Sequence, residues 1–271
     1  MRGLAGKVVV VTGATKAMGE AIAVRFAEEG GLVVGCGRSA DRGEAVAQRI
    51  RDAGGRAIFV RADITVEADV VAVVDAALGE FGQLDVVVNN AAAVDVIRGG
   101  GERPVTDEPI ETFDRMLRVG VYGPFLLAKH AIPAMLKGGT PGGAFVHLSS
   151  TAAGRGLGAV PGYAASKGAL EALSRQIGTD YGPRWIRSNT IRVGTIRVPD
   201  NAALHEHPVA GPIVMAKNML PRVGLPEDVA AMAAFLASDD AGFVTGVVIP
   251  LDGGGSNKNA VIGMDKVYGD N

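Results

Sequence analysis

Three residues near the middle of the chain have the types and spacing for proton transfer to an oxygen. Ser150 closes an apolar stretch at 144–148, Tyr163 follows thirteen residues later, and Lys167 stands four beyond that. On a helix, residues four apart share a face and can meet one ligand. A phenol with an ordinary pKa near 10 is protonated at neutral pH. An ammonium one turn away favours the phenolate, so Tyr163 can serve as acid or base. The Ser150 hydroxyl would hold the substrate oxygen as charge develops on it. A Tyr-x-x-x-Lys pair alone fits any amphipathic helix. What singles this one out is an apolar strand ending in two serines, a glycine-rich connection, and then the pair.

A second constellation lies at the amino end. Thr12-Gly13-Ala14-Thr15-Lys16-Ala17-Met18-Gly19 stands between an apolar run at 8–11 and a helical pattern at 19–29. A small-residue turn there lets backbone N–H groups and the helix start face an anion, and a dinucleotide pyrophosphate is the usual guest. Gly13, Thr15, Lys16, Met18 and Gly19 are the candidates. The spacing departs from G-x-G-x-x-G, with Ala17 where another glycine is expected, and such a turn can also be simple connection. Further on, Gly37-Arg38-Ser39 ends the second apolar run, where an adenosine ribose is read. No carboxylate is present for a free 2′-hydroxyl. Arg38 suits a 2′-phosphate, Ser39 lies beside it, and Lys16 can add a second charge. The expectation is NADP(H), with NAD(H) possible if Arg38 is merely solvated.

The elements that must position these groups alternate. Strands are expected at 8–11, 32–36, 57–61, 84–88, 144–148, 186–191 and 244–251, and helices at 19–29, 40–53, 67–81, 117–135 and 163–181. Segment 95–109 is irregular, and 194–221 reads as a loop with short helices, the usual place for a substrate lid. This is the pattern of a single-domain α/β protein, a Rossmann-like doubly wound parallel sheet of about seven strands flanked by helices. The domain would run over 1–254, with the insertion at about 194–221 and a tail at 255–271.

Composition narrows the classes. The 271 residues, 48% apolar with a net charge of -2, give material for one large core and no bulk charge calling for nucleic acid or an anionic membrane. A single cysteine, Cys36, excludes an intrachain disulfide framework. The run at 8–11 is too short to span a membrane, and no export signal precedes it, so a cytoplasmic location is expected. The four histidines include no helical i,i+4 pair, so no metal site is expected. The 39 glycines point to tight βα turns and close backbone approach to a ligand.

Taken together, these motifs resemble the short-chain dehydrogenase/reductase superfamily, in particular its 3-oxoacyl-reductase-like or ketoreductase branch, over nearly the whole length to Gly254. Residues 12–19 resemble the family's cofactor turn. Asp63, beside Ile64, resembles the acidic residue that contacts adenine, and Asn89-Asn90-Ala91-Ala92 resembles the Asn-Asn-Ala-Gly stretch that stabilises the central sheet. Ser150, Tyr163 and Lys167 fall at the family's catalytic spacing. Residues 222–230, 235–239, 245–246 and 252–254 match as well. The resemblance implies cofactor contacts from Asn90, Tyr163, Lys167, Val193, Gly194 and Ile196, Lys167 holding the nicotinamide ribose, and a homotetramer built through the long helix and the last strand.

Four positions depart from the pattern: Ala17 and Ala92 for glycine, Val193 for the usual proline, and Gly120 for the tetrad asparagine. In the family that asparagine holds a bent helix whose carbonyl binds a water touching the lysine; Gly120 keeps a carbonyl and, with Pro124, permits a bend. The implied activity is NADP(H)-dependent interconversion of a ketone and a secondary alcohol on a small to medium apolar or cyclic substrate. The pocket would be drawn from 93–98, 151–160, 193–196 and 201–220, with Leu157, Val160, Leu204, Val214 and Met215 as its apolar candidates. Rival classes are an NAD(H)-dependent alcohol or diol dehydrogenase, an isomerase, dehydratase or epimerase of the same fold, and a nucleotide sensor with a degenerate site.

Overall fold

The computed structural model describes residues 1–93, 95–96, 99–137 and 142–258. Strand β1 (Val8–Thr12) is buried along its full length. Successive side chains of a strand point to opposite faces, and here Val9 and Val11 enter one core while Val8 and Val10 enter another. A run apolar on both sides is what a central strand of a parallel sheet requires. With β2 (Leu32–Gly37), β3 (Arg56–Arg61), β4 (Val86–Asn89), β5 (Gly143–Ser150), β6 (Ile186–Val193) and β7 (Val248–Leu251) it forms a seven-stranded sheet of order β3-β2-β1-β4-β5-β6-β7. Every neighbouring pair is parallel. The expected doubly wound, Rossmann-like α/β architecture is therefore present.

The helices are α1 (Ala17–Glu28), α2 (Ala40–Asp52), α3 (Glu67–Phe81), α4 (Ile110–Leu117), α5 (Gly123–Lys137), α6 (Pro161–Tyr181), α7 (Ala202–Glu206), α8 (Ala210–Met215) and α9 (Pro226–Ala237). Ile22 and Phe26 of α1, Val46 and Ile50 of α2, and Val229 and Leu236 of α9 share the core on one face of the sheet. Val70, Val73 and Val74 of α3, Leu127 and Met135 of α5, and Ile177 of α6 share the core on the other. Chain order reverses between β1 and β4, so their carboxyl ends open a crevice, where ligands bind in open α/β sheets.

Three expectations need correction. The helix placed at 117–135 begins earlier, at Ile110, and is interrupted by a π-helical turn, Arg118–Tyr122. By length and apolarity alone the run Ile110–Lys137 could cross a membrane, but half of its apolar window is buried, packed against α3 and α6 as a core helix. The last strand starts at Val248, because residues 244–246 are spent on a turn in which Val244 N–H donates to Ala241 and Gly246 takes a positive φ. Finally α9 had no counterpart among the expected helices. Its Ala-rich sequence is buried on most sides and carries no polar stripe for periodicity to find. Cys36 sits fully buried in β2, where desolvation pushes its thiol up to about 12 and makes it inert. The tail beyond residue 258 lies outside the described residues.

Candidate functional site

The crevice is a single cleft of about 860 Å³ at the carboxyl edge of the sheet. One half is built by the β1–α1 turn. Gly13 has φ +68, a conformation that favours glycine, and its N–H donates to Cys36 of β2. A Cβ on Gly19 would stand 2.1 Å from the Gly13 carbonyl oxygen, so the first turn of α1 closes on the loop only with glycine there. Thr12 Oγ1 donates to Val88 and accepts the N–H groups of Asn90 and Ala91, and Asn90 Nδ2 donates to the Thr12 carbonyl at 2.8 Å. These bonds stitch the ends of β1 and β4 together, the role that the resemblance assigns to the Asn-Asn stretch. Ala17 adopts φ +50, so the departure from glycine sits at a position whose backbone favours glycine.

Gly13, Thr15, Lys16, Met18, Gly19, Arg38, Ser39, Asp63, Ile64 and Asn90 all line this cleft. Asp63 is engaged locally, accepting from the Thr65 amide and hydroxyl. Lys16, the residue expected to add a second positive charge, pairs its ammonium with Asp200 of the 194–221 stretch. Arg42, which sequence reasoning missed, also faces the cleft from the first turn of α2 and donates to Ser39 Oγ at 3.1 Å. Its placement three residues past Ser39 on an expected helix was the available signal. Asp95, from the expected pocket stretch 93–98, lines the cleft 3.6 Å from Arg38 and is bonded by Arg115.

The other half is built from β5, β6 and α6. Ser150 is the last residue of β5 and lies in register with Val193 of β6. Val193 also pairs with Leu251, so valine in place of proline lets β6 run one residue further. A Cβ on Gly194 would meet Asp252 at 2.6 Å, which keeps this corner glycine. Val193, Gly194 and Ile196 line the cleft with Ser150, Tyr163 and Lys167. The Tyr163 hydroxyl and the Ser150 side chain face one another in the cleft. Lys167 Nζ lies 5.7 Å from the Tyr163 ring centroid and donates to the Leu148 carbonyl at 2.7 Å. Burial lowers the Lys167 ammonium to about 8. Burial raises the Tyr163 phenol above its ordinary value; the Ser150 side chain opposes this and the charge of Glu102 adds to it.

Behind this trio, Ser149 donates to buried Glu171 at 2.8 Å, and Arg192 grips Glu171 through Nε and Nη2. The ion pair fixes α6 to β6 one turn past Lys167. Gly120 lies in the π-helical turn against α6. A Cβ there would stand 2.7 Å from Ser166 Cβ and 2.8 Å from its Oγ. The bend expected from glycine and Pro124 is thus a π turn, and the turn seats directly on the catalytic-spacing segment.

Among the apolar candidates, Leu157 and Leu204 line the cleft, whereas Val160, Val214 and Met215 do not. Val94, Ile97 and Arg98 of the expected pocket lie outside the described residues.

Comparison with known proteins places the chain in a family. The family model described as enoyl-(acyl carrier protein) reductase matches residues 13–256. A probable short-chain type dehydrogenase/reductase of Bradyrhizobium diazoefficiens is 39% identical over 254 residues, covering 92% of this chain and 87% of that protein. The 3beta-hydroxysteroid dehydrogenase 1 of Eggerthella lenta is 38% identical, covering 93% and 94%. A crystal structure of 7 alpha-hydroxysteroid dehydrogenase complexed with NADH and 7-oxo glycochenodeoxycholic acid superposes with a TM-score of 0.85 at 34% identity, covering 93% and 95%. The chain belongs to the short-chain dehydrogenase/reductase family of oxidoreductases.

Proposed function

We propose that this protein is an NADP(H)-dependent oxidoreductase interconverting a ketone and a secondary alcohol on a small to medium apolar or cyclic substrate, with Tyr163 as general acid and base. The observation that carries the reading is the convergence of Ser150, Tyr163 and Lys167 in the same cleft as the Gly13–Gly19 turn. The residues fit a nicotinamide dinucleotide: Gly19 lets the amino end of α1 close against the Gly13 carbonyl, which sets the backbone of the turn along the cleft. Lys167 would hold the nicotinamide ribose. A bound nicotinamide supplies the hydride donor or acceptor.

The chain's own groups handle the oxygen and the proton. Ser150 and Tyr163 bind the carbonyl oxygen, and in reduction the Tyr163 phenol gives its proton to that oxygen as negative charge grows there. In oxidation the same oxygen returns the proton to the phenolate. The Lys167 ammonium stabilises that phenolate.

For the phosphate form of the cofactor the support is Arg38, Ser39 and Arg42 on the rim, with no carboxylate at the end of β2. Leu157, Val193, Ile196, Val198 and Leu204 support an apolar substrate, and two hydroxysteroid dehydrogenases stand among the similar proteins. Exposed Tyr122 and Phe125 by the long helix, and Phe243 and Val247 before β7, support a homotetramer. Tyr163→Phe is expected to abolish nearly all ketone-dependent consumption of reduced cofactor while cofactor affinity stays within about threefold. Retained turnover would refute the assignment. Product formation without net cofactor consumption would favour an isomerase instead.

A further inference from the structure

Glu102 belongs to the segment joining β4 to α4, and no motif drew attention to it. Its side chain is buried, with the residue only 6% exposed. Oε1 accepts the Tyr163 N–H, one of the first free amides of α6, at 2.9 Å, with Gly162 packed beside it. Oε2 is buried with no hydrogen-bond partner. Gly162 is small because a Cβ would meet Glu102 Oε1 at 3.1 Å and Met116 Cβ at 3.0 Å. A carboxylate is therefore seated where helix α6 starts, one residue from the phenol that the proposed function uses. Burying a charged oxygen without a partner is costly, so packing alone does not account for this choice.

We propose that Glu102 is a positioning residue for Tyr163. Its carboxylate ties the β4–α4 segment to the first turn of α6, fixing the phenol against Ser150, and its negative charge holds the phenol in the protonated, proton-giving state. This rests on Tyr163 being the acid and base. Among the described residues, the groups facing the phenol are Ser150 from β5, Lys167 on its own helix, and Glu102 from the segment, while Ala93, Val96, Met116 and Val119 add apolar surface. Burial raises the Glu102 carboxyl above its ordinary value and the charge of Glu108 on the same segment adds to this, while the amides at the start of α6 oppose it and favour the carboxylate. Like charge near a phenol disfavours the phenolate.

The test is the pH profile of alcohol oxidation by the full-length protein with saturating cofactor. Glu102→Gln keeps an acceptor oxygen and removes the charge. The acid limb assigned to Tyr163, along which the phenolate base is lost to protonation, is expected to move to lower pH, with cofactor affinity within about twofold of the parent. Glu102→Asp keeps the charge and withdraws the acceptor by one methylene. Its limb is expected to stay in place while kcat falls roughly tenfold. A limb in the Gln protein that stays put or moves upward overturns the electrostatic role. If the Gln protein does not fold, a parental kcat in the Asp protein overturns the positioning role. Tyr163→Phe run in parallel separates the two levels: if it is active, the proposed function fails, whereas an inactive Phe protein beside an unmoved Gln limb defeats only the inference about Glu102.

Discussion

Placing any Cβ at position 120 should damage catalysis through a contact, not through loss of a functional group. Gly120 is buried in the π-helical turn and faces Ser166, which lies between Tyr163 and Lys167 on α6 and donates to the Tyr163 carbonyl at 2.8 Å. In Gly120→Ala the new Cβ would sit 2.7 Å from Ser166 Cβ, short of ordinary contact by about 0.7 Å. Neither backbone can yield freely, because the turn joins α4 to α5 and α6 is anchored by the Glu171–Arg192 pair. Overpacking of this kind costs about 1–3 kcal/mol. A misplacement approaching 1 Å near the reacting groups costs on the order of 10- to 100-fold in rate. Gly120→Asn, which restores the residue usual in the family, should do at least as badly. The assay is steady-state kcat from reduced-cofactor absorbance, alongside thermal denaturation, for Gly120→Ala, Ser166→Gly and the double variant. Removing the Ser166 Cβ should return much of the lost activity, giving a coupling of at least about 1 kcal/mol in the cycle. Parental rate and Tm in Gly120→Ala, or a double variant no better than the single one, would refute the argument.

Three further outcomes follow from particular residues. Ala17→Gly should stabilise the protein by up to about 1 kcal/mol in urea denaturation, because the relief of φ +50 exceeds the added freedom of the unfolded chain; a clear loss of stability would contradict this. Lys167→Met should abolish activity yet raise stability at neutral pH. Burial lowers the ammonium from its ordinary 10.5 to about 8, so the unfolded chain holds more protons between those values and the parent gains stability as pH rises through that window. The advantage of the Met protein, at most about 3 kcal/mol and reduced by the lost bond to the Leu148 carbonyl, should shrink from pH 8 upward; an advantage constant across that range would count against the burial argument. Arg38→Ala with Arg42→Ala should cut kcat/KM for NADP(H) at least about tenfold more than for NAD(H). An unchanged ratio would show that neither guanidinium reads the 2′-phosphate.

Much of the site was legible because its parts are local. Valine runs declare buried strands on either face, the i,i+4 spacing of Tyr163 and Lys167 survives folding intact, and Gly13 and Gly19 mark a turn whose conformation and close approach exclude larger residues. What escaped depends on tertiary contact or on the absence of contrast. Helix α9 is apolar almost all round, so it offers no period. The onset of α4 at Ile110 hides in a segment rich in charge and proline. The pairing of Lys16 with Asp200 joins residues far apart in the chain, and Glu102 acquires meaning only when its segment folds beneath α6.

The π-helical turn also constrains chain length. Each residue of an α-helix advances the direction of its side chains by about 100°, and a π turn takes up one residue more than an α turn. Helix α4 can therefore aim Met116 at the cluster around Tyr163 while α5, a few residues later, aims Leu127 and Met135 into the sheet. A continuous α-helix would spoil one alignment to satisfy the other. Substitutions at Val119 or Val121 leave that phase intact, but a deletion or insertion between Leu117 and Gly123 rotates every side chain of α5 away from the core on the far side.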